Sequence, residues 1–190
     1  MCLKDNFFTD INNFAHLILN RIIEEGDNVI DATVGNGKDT IFLAEKVGAK
    51  GKVYGFDIQK KALSQTKEVL RQNNLIERVE IISSGHENLD IYVQKKVKAI
   101  VFNLGYLPGA DHSITTKRET TIEALTKSAK ILKKNGVILL TVYTGHHGSN
   151  EERESVQRFM ENLSKKEWDV LQWSYLNRDS APLLIVGYRR

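Results

Sequence analysis

Short apolar, β-rich runs alternate with amphipathic segments along almost the whole chain, and this alternation constrains the fold more than any other feature. The runs are NVIDAT (28–33), KVYGFD (52–57), VEIISS (79–84), KAIVFNL (98–104) and GVILLTVY (136–143). Between them, Ala62, Leu63, Thr66, Val69 and Leu70 share one helical face, as do Ile122, Leu125, Ala129 and Leu132, and later Val156, Phe159, Met160 and Leu163. Strands joined by helix-sized segments pair in parallel, with the helices crossing over the faces of the sheet. The last two runs, DVLQWSYL (169–176) and PLLIVGYR (182–189), lack a helix-sized insert and are expected to pair antiparallel at the sheet edge. The reading is an α/β fold with a mostly parallel sheet.

At 190 residues and 41% hydrophobic, the chain can build one substantial core, so 1–190 is expected to be a single domain. A leading amphipathic helix with Phe14, Leu17, Ile18 and Ile22 toward the core completes it. Thr116-x-x-Glu119 and Ser149-x-x-Glu152 have the spacing of capping boxes, so two polar loops each lead from a strand end into a helix. Cys2 is the only cysteine, which excludes an internal disulfide and fits a reducing, cytoplasmic setting. No apolar run approaches the roughly 18 residues of a membrane span, so no membrane partner is expected. A net charge of +3 permits a nucleic-acid partner without demanding one.

Ligands of open α/β sheets gather outside the carboxyl ends of the strands. After the first strand stands Asp31-Ala-Thr33-Val-Gly35-Asn36-Gly37-Lys-Asp39-Thr40, a carboxylate followed by two glycines as the chain turns into a helix. Glycines let the backbone approach a ligand closely, and Asp31 can face a cation. A dinucleotide fingerprint would want glycine where Thr40 stands, and a phosphate loop would want Ser or Thr where Asp39 stands, so both phosphate readings weaken. Asp57, which ends the second strand just before Gln59, can accept hydrogen bonds from both hydroxyls of a ribose, or else cap the next helix. Ser84-Gly85-His86 at the third strand end is placed to flank an adenine.

With these residues in view, the chain resembles the class I S-adenosylmethionine (SAM) methyltransferases, DATVGNG matching their first motif and GFDIQ their second. The resemblance implies a Rossmann-like, mostly parallel seven-stranded sheet flanked by helices, with the last strand antiparallel. It also implies SAM as cofactor, held by Asp31, Thr33, Gly35, Asn36, Gly37, Asp39, Thr40, Asp57, Gln59, Gly85, His86 and Asn103. More narrowly, DATVGNGKDT, GFDIQ, SGHENL, FNLGYLPGADHSITT and YTGHHGS together resemble a family of small bacterial proteins known as rRNA methylases. Its members methylate the 5-aminomethyl nitrogen of wobble 5-aminomethyl-2-thiouridine in tRNA to give the 5-methylaminomethyl form, and that activity is what the resemblance implies here.

Asn103-Leu104-Gly105-Tyr106 is similar to the Asn-Pro-Pro-Tyr signature of amino-group methyltransferases, with both prolines replaced. By that likeness the Asn103 side chain and the next backbone carbonyl accept from the amine, and Tyr106 stacks on the base. Asn103, Tyr106 and His112 are the expected catalytic residues; Leu104, Tyr106, Asp111, His112, Tyr143 and His146 are expected to bind substrate. A histidine can take the amine's proton or grip phosphate, while His147 reads as an exposed loop residue. Adjacent His146 and His147 do not suit one ion, so no metal is expected.

The lysine and arginine clusters at 60–61, 95–98, 133–134 and 189–190 read singly as solvated surface and together as nonspecific phosphate attraction. Recognition of a tRNA anticodon loop must then come from the catalytic face, with a homodimer left open as a way to widen it. The rival readings are a SAM-dependent methyltransferase for rRNA or a small-molecule amine, and a noncatalytic nucleotide-binding module. A dehydrogenase is disfavoured by Thr40.

Overall fold

The computed structural model describes residues 7–105, 115–144, 149–179 and 181–190. In chain order these form α1 (Ile11–Ile22), β1 (Asn28–Asp31), α2 (Lys38–Val47), β2 (Lys52–Asp57), α3 (Lys60–Gln72), β3 (Val79–Ser83), α4 (Leu89–Tyr92), β4 (Val97–Leu104), α5 (Arg118–Ile131), β5 (Leu132–Val142), α6 (Ser149–Glu161), β6 (Trp168–Trp173) and β7 (Leu183–Arg189). All seven strands join one sheet in the order β3-β2-β1-β4-β5-β7-β6. Pairing is parallel from β3 through β5, and β7 runs antiparallel to both its neighbours. The expected antiparallel pair is present, with β7 inserted beside β5 and β6 left at the edge.

Side chains alternate across a strand, and β4 shows what that alternation builds. Ala99 and Val101 pack with Leu19 of α1 and Leu43 and Val47 of α2, whereas Ile100, Phe102 and Leu104 pack with Leu125 of α5 and Met160 of α6. Helices therefore cover both faces, and the central strands read as unbroken apolar runs because neither face meets water. The helical faces deduced from spacing are present in part. Leu17, expected toward the core, is exposed, and Ile11, Ala15 and Leu19 form the buried stripe of α1. Leu132, read as the end of a helical face, instead opens β5 against Val97, and the register shifts before Val137 meets Ala99. Asn135 sits at a φ of 57° within that irregular stretch.

Neither capping box forms as expected. Helix α5 is capped at Lys117 without a side-chain bond. Thr116 Oγ1 instead accepts the Gly105 N–H at 2.9 Å and donates to Glu152 Oε2 at 2.7 Å. Thr121 Oγ1 donates to Glu152 Oε1 at 2.7 Å. Glu152, expected to fold back over the start of α6, is thus a buried carboxylate joining α6 to α5. No helix among the described residues is long and apolar enough to cross a membrane.

Candidate active site

Strands β1 and β4 are neighbours, and the chain leaves them toward opposite sides of the sheet. Beyond the Ala32 N–H to Val101 carbonyl bond the two strand ends part, and a side chain takes over from the ladder: Thr33 Oγ1 accepts the Asn103 N–H at 2.7 Å. A cleft of about 590 Å³ opens at this point, a size that suits a small organic ligand. Its walls come from the turn after β1, the ends of β2 and β3, the end of β4, and the polar face of α1.

The glycine turn behaves as its composition suggests. Gly35 and Gly37 have φ values of 48° and 78°, and Gly37 begins α2 at its N-cap, so backbone rather than side chain borders the cleft here. Asp57 does two jobs: Oδ2 accepts the Gly35 N–H at 2.8 Å, tying the turn to β2, and Oδ1 accepts the Gln59 N–H at 2.8 Å. The ribose and helix-capping readings are therefore compatible, since each carboxylate oxygen retains acceptor capacity for a ligand hydroxyl. Thr33, Asn36, Asp39, Gln59, Gly85, Asn103 and Tyr143 also line the cleft.

His86, likewise on the wall, is 7% exposed. Its Nδ1 lies 3.2 Å from the Ala32 carbonyl, which only accepts, so Nδ1 carries the proton and Nε2 the lone pair. That Nε2 is buried without a partner among the described residues. Burial holds the imidazole below its ordinary pKa, against the Ala32 carbonyl and nearby carboxylates that pull the other way.

Several expected residues stand elsewhere. Asp31 is fully buried and does not face the cleft: Oδ1 accepts the Thr33 N–H at 3.1 Å and Oδ2 the Thr40 hydroxyl at 2.6 Å. Burial foremost, with the negative Asp39 nearby, pushes its pKa up to about 7. A carboxyl so placed braces the turn and does not suit a cation. Thr40 is buried with it, and Gly37 lies behind the turn, where a Cβ would meet Thr66 at 2.7 Å. Leu104 falls on the opposite parity of β4 from Asn103, so its side chain is buried in the core and its carbonyl accepts the Tyr143 N–H at 2.9 Å. Tyr106, Asp111, His112, His146 and His147 lie outside the described residues.

The polar face of α1 escaped the sequence reading altogether. His16 Nε2 lies 2.6 Å from Asp39 Oδ1, and its ring stacks on Phe42 at a 4.1 Å centroid separation. Asn103 Nδ2 donates to Asp39 Oδ2 at 2.7 Å. Burial would raise the Asp39 pKa, but the bonds from His16 and Asn103 overcome it and hold the carboxyl below its ordinary value. Asn12 Nδ2 donates to the Tyr143 hydroxyl at 3.0 Å, and the Thr141 hydroxyl donates to Asn12 Oδ1 at 3.3 Å. Asn12 and His16, four residues apart on a helix, were the available signal.

Four residues of the expected basic clusters are tied into the fold: Lys133 pairs with Asp27, Lys96 bonds the Lys130 carbonyl, Arg189 bonds the Ala129 and Leu132 carbonyls, and Arg190 pairs with Asp169. Lys38 and Lys117, outside those clusters, line the cleft. Among the described residues no three His, Cys, Asp or Glu side chains converge as a metal site.

Residues 53–188 match the family model described as "Putative rRNA methylase". The chain belongs to the rRNA methylase family. Over 186 residues, 93% of this chain and 68% of the relative, it is 39% identical to the chloroplastic tRNA (mnm(5)s(2)U34)-methyltransferase of Arabidopsis thaliana. Among solved structures, an rRNA methylase from Clostridium thermocellum superposes with a TM-score of 0.92 at 41% identity, with full coverage of both chains. A Streptococcus mutans "putative methyltransferase" in complex with S-adenosylhomocysteine (SAH) gives 0.87 at 32% identity, also over the whole of both. The rRNA methylase likeness thus spans the β1 turn, the α1 face and the β4 end alike.

Proposed function

We propose that this protein is a SAM-dependent methyltransferase that methylates the 5-aminomethyl nitrogen of 2-thiouridine at the wobble position of tRNA, giving 5-methylaminomethyl-2-thiouridine. The observation that carries the reading is the 39% identity, over 93% of this chain, to an Arabidopsis enzyme named for that nucleoside at position 34. The site supports it. The cleft has room for SAM, and its lining is of the right kind: backbone that a ligand can approach closely at Gly35, and the Asp57 carboxylate for ribose hydroxyls.

Bound SAM supplies an electrophilic methyl carbon that a nitrogen lone pair can take. The chain's task is to hold the acceptor nitrogen deprotonated and aligned. Asn103, at the carboxyl end of β4, accepts an N–H from the amine through Oδ1. Burial from bulk water favours the uncharged amine, so a strong base is not required. The wobble base lies in a single-stranded loop and can splay out to reach the cleft without duplex opening. The anticodon loop is then the part of the tRNA that meets this face, with Lys38 and Lys117 at the rim as phosphate contacts.

The test is nucleoside mass spectrometry after incubating purified protein and SAM with tRNA isolated from cells lacking the activity. The expected result is conversion of 5-aminomethyl-2-thiouridine to its methylated form, weakening as salt is added. Rapid methylation of a free amine metabolite with none on tRNA would transfer the assignment to a small-molecule enzyme.

A further inference from the structure

A primary amide has two arms of nearly equal shape, and only its partners decide which arm is oxygen. At Asn103 that decision is made by Asp39. A carboxylate accepts and never donates, so the arm lying 2.7 Å from Asp39 Oδ2 must be Nδ2. Oδ1 is thereby turned away from Asp39, and it has no hydrogen-bond partner among the described residues. The neighbouring backbone acceptors each already hold one bond: the Leu104 carbonyl accepts the Tyr143 N–H at 2.9 Å, and the Gly105 carbonyl the Thr116 N–H at 3.0 Å. Asp39 is itself held. His16 grips Oδ1 at 2.6 Å, and Phe42, four residues from Lys38 on α2, stacks flat on the His16 ring.

We infer that Asp39, braced by His16, is a positioning residue that locks the Asn103 amide with its oxygen toward the methyl acceptor. This assigns Asp39 to the acceptor rather than to the cofactor and rests on the amine-methylating function proposed above. The lock does two things. It removes the flipped amide, whose N–H donors would tie up the amine lone pair that must attack the methyl. It also fixes Oδ1 as an acceptor, so the pocket favours an arm that carries an N–H donor over one of similar length that carries none. The sequence Asn12-x-x-x-His16 on α1 thus joins the chemistry without needing to touch the cofactor.

The test combines single-turnover methylation of tRNA carrying 5-aminomethyl-2-thiouridine with calorimetric titration of SAH. Asp39→Ala should slow turnover about tenfold to a hundredfold while SAH affinity moves less than about threefold. Asn103→Ala added to Asp39→Ala should cost little more, because the second change removes an amide already unlocked. Asp39→Asn, which keeps the shape and one acceptor, guards against simple misfolding and should fall between wild type and Asp39→Ala. Additive losses in the double variant, or a loss of SAH affinity matching the loss of rate, would overturn the inference. The Asn103 side-chain amide resonances of ¹⁵N-labelled protein provide a readout independent of substrate: they should shift and exchange faster in Asp39→Ala. If they do not, the lock is refuted. If they do while wild type leaves the tRNA unmethylated, the lock stands and the proposed acceptor falls.

Discussion

Replacing Glu152 by alanine should loosen the acceptor side of the cleft and lower stability by an amount the structure lets one work out. Its carboxylate is 2% exposed and receives the Thr116 and Thr121 hydroxyls, one on each oxygen. Thr121 is fully buried, so Glu152→Ala strands its donor at a cost of about 1–3 kcal/mol, while Thr116, half-buried, can turn toward water. The one buried methylene lost, Cγ, adds roughly 0.8 kcal/mol. Relief of the buried charge offsets part of this, leaving about 1–3 kcal/mol, or roughly 2–12 °C in Tm for a domain of this size. Glu152→Gln keeps the volume, accepts from one hydroxyl and donates to the other, and should cost about 1 kcal/mol. Thermal melts check both values, and SAH titration should stay within about threefold of wild type because the ribose side is untouched. A glutamine variant as damaged as the alanine variant would refute the hydrogen-bond account and leave charge as the cause.

Two further outcomes follow from the same geometry. Asp57→Ala should weaken SAH binding roughly tenfold or more, since it removes charge-assisted acceptors and frees the Gly35 turn; unchanged titration heats would refute the ribose assignment. Asp31 has a folded pKa of about 7, above the ordinary 3.8, so its contribution to stability is full below the lower value and lost as pH rises through the higher. The Tm of Asp31→Asn relative to wild type should therefore climb between about pH 4 and 7 and then level off, and a pH-independent difference would show that the carboxyl is not perturbed.

Much of this was legible because the central strands are buried on both faces. Apolar runs marked every strand, and the glycine turn and Asp57 stood at strand ends where a ligand cleft must open. What escaped is mostly a matter of parity and of the third dimension. Asn103 and Leu104 are adjacent in sequence, but the two-residue period sends Asn103 toward α1 and α2 and Leu104 into the core beneath α5 and α6. Counting from Ala99 and Val101 would have separated them. Asp31 carries the charge and spacing of a ligand contact, yet Thr33 and Thr40 close on it from its own turn. Glu152 sits three residues after a serine, as a capping glutamate would, and also four before Val156 on the buried stripe; tertiary packing chose the second role.

Strand β7 lies between β5 and β6 although it comes last in the chain, and β6 pairs with nothing else. During synthesis the edge of β5 therefore stays open while α6 and β6 emerge, with the apolar stretch Val137–Val142 presenting unpaired backbone. Proteolysis or a frameshift that removed Leu183–Arg189 would release two strands rather than one, and would convert a closed central strand into an adhesive one. The same order offers a delayed commitment: the half of the sheet that forms the cleft can assemble from β1 to β5 before the strand that seals its flank arrives.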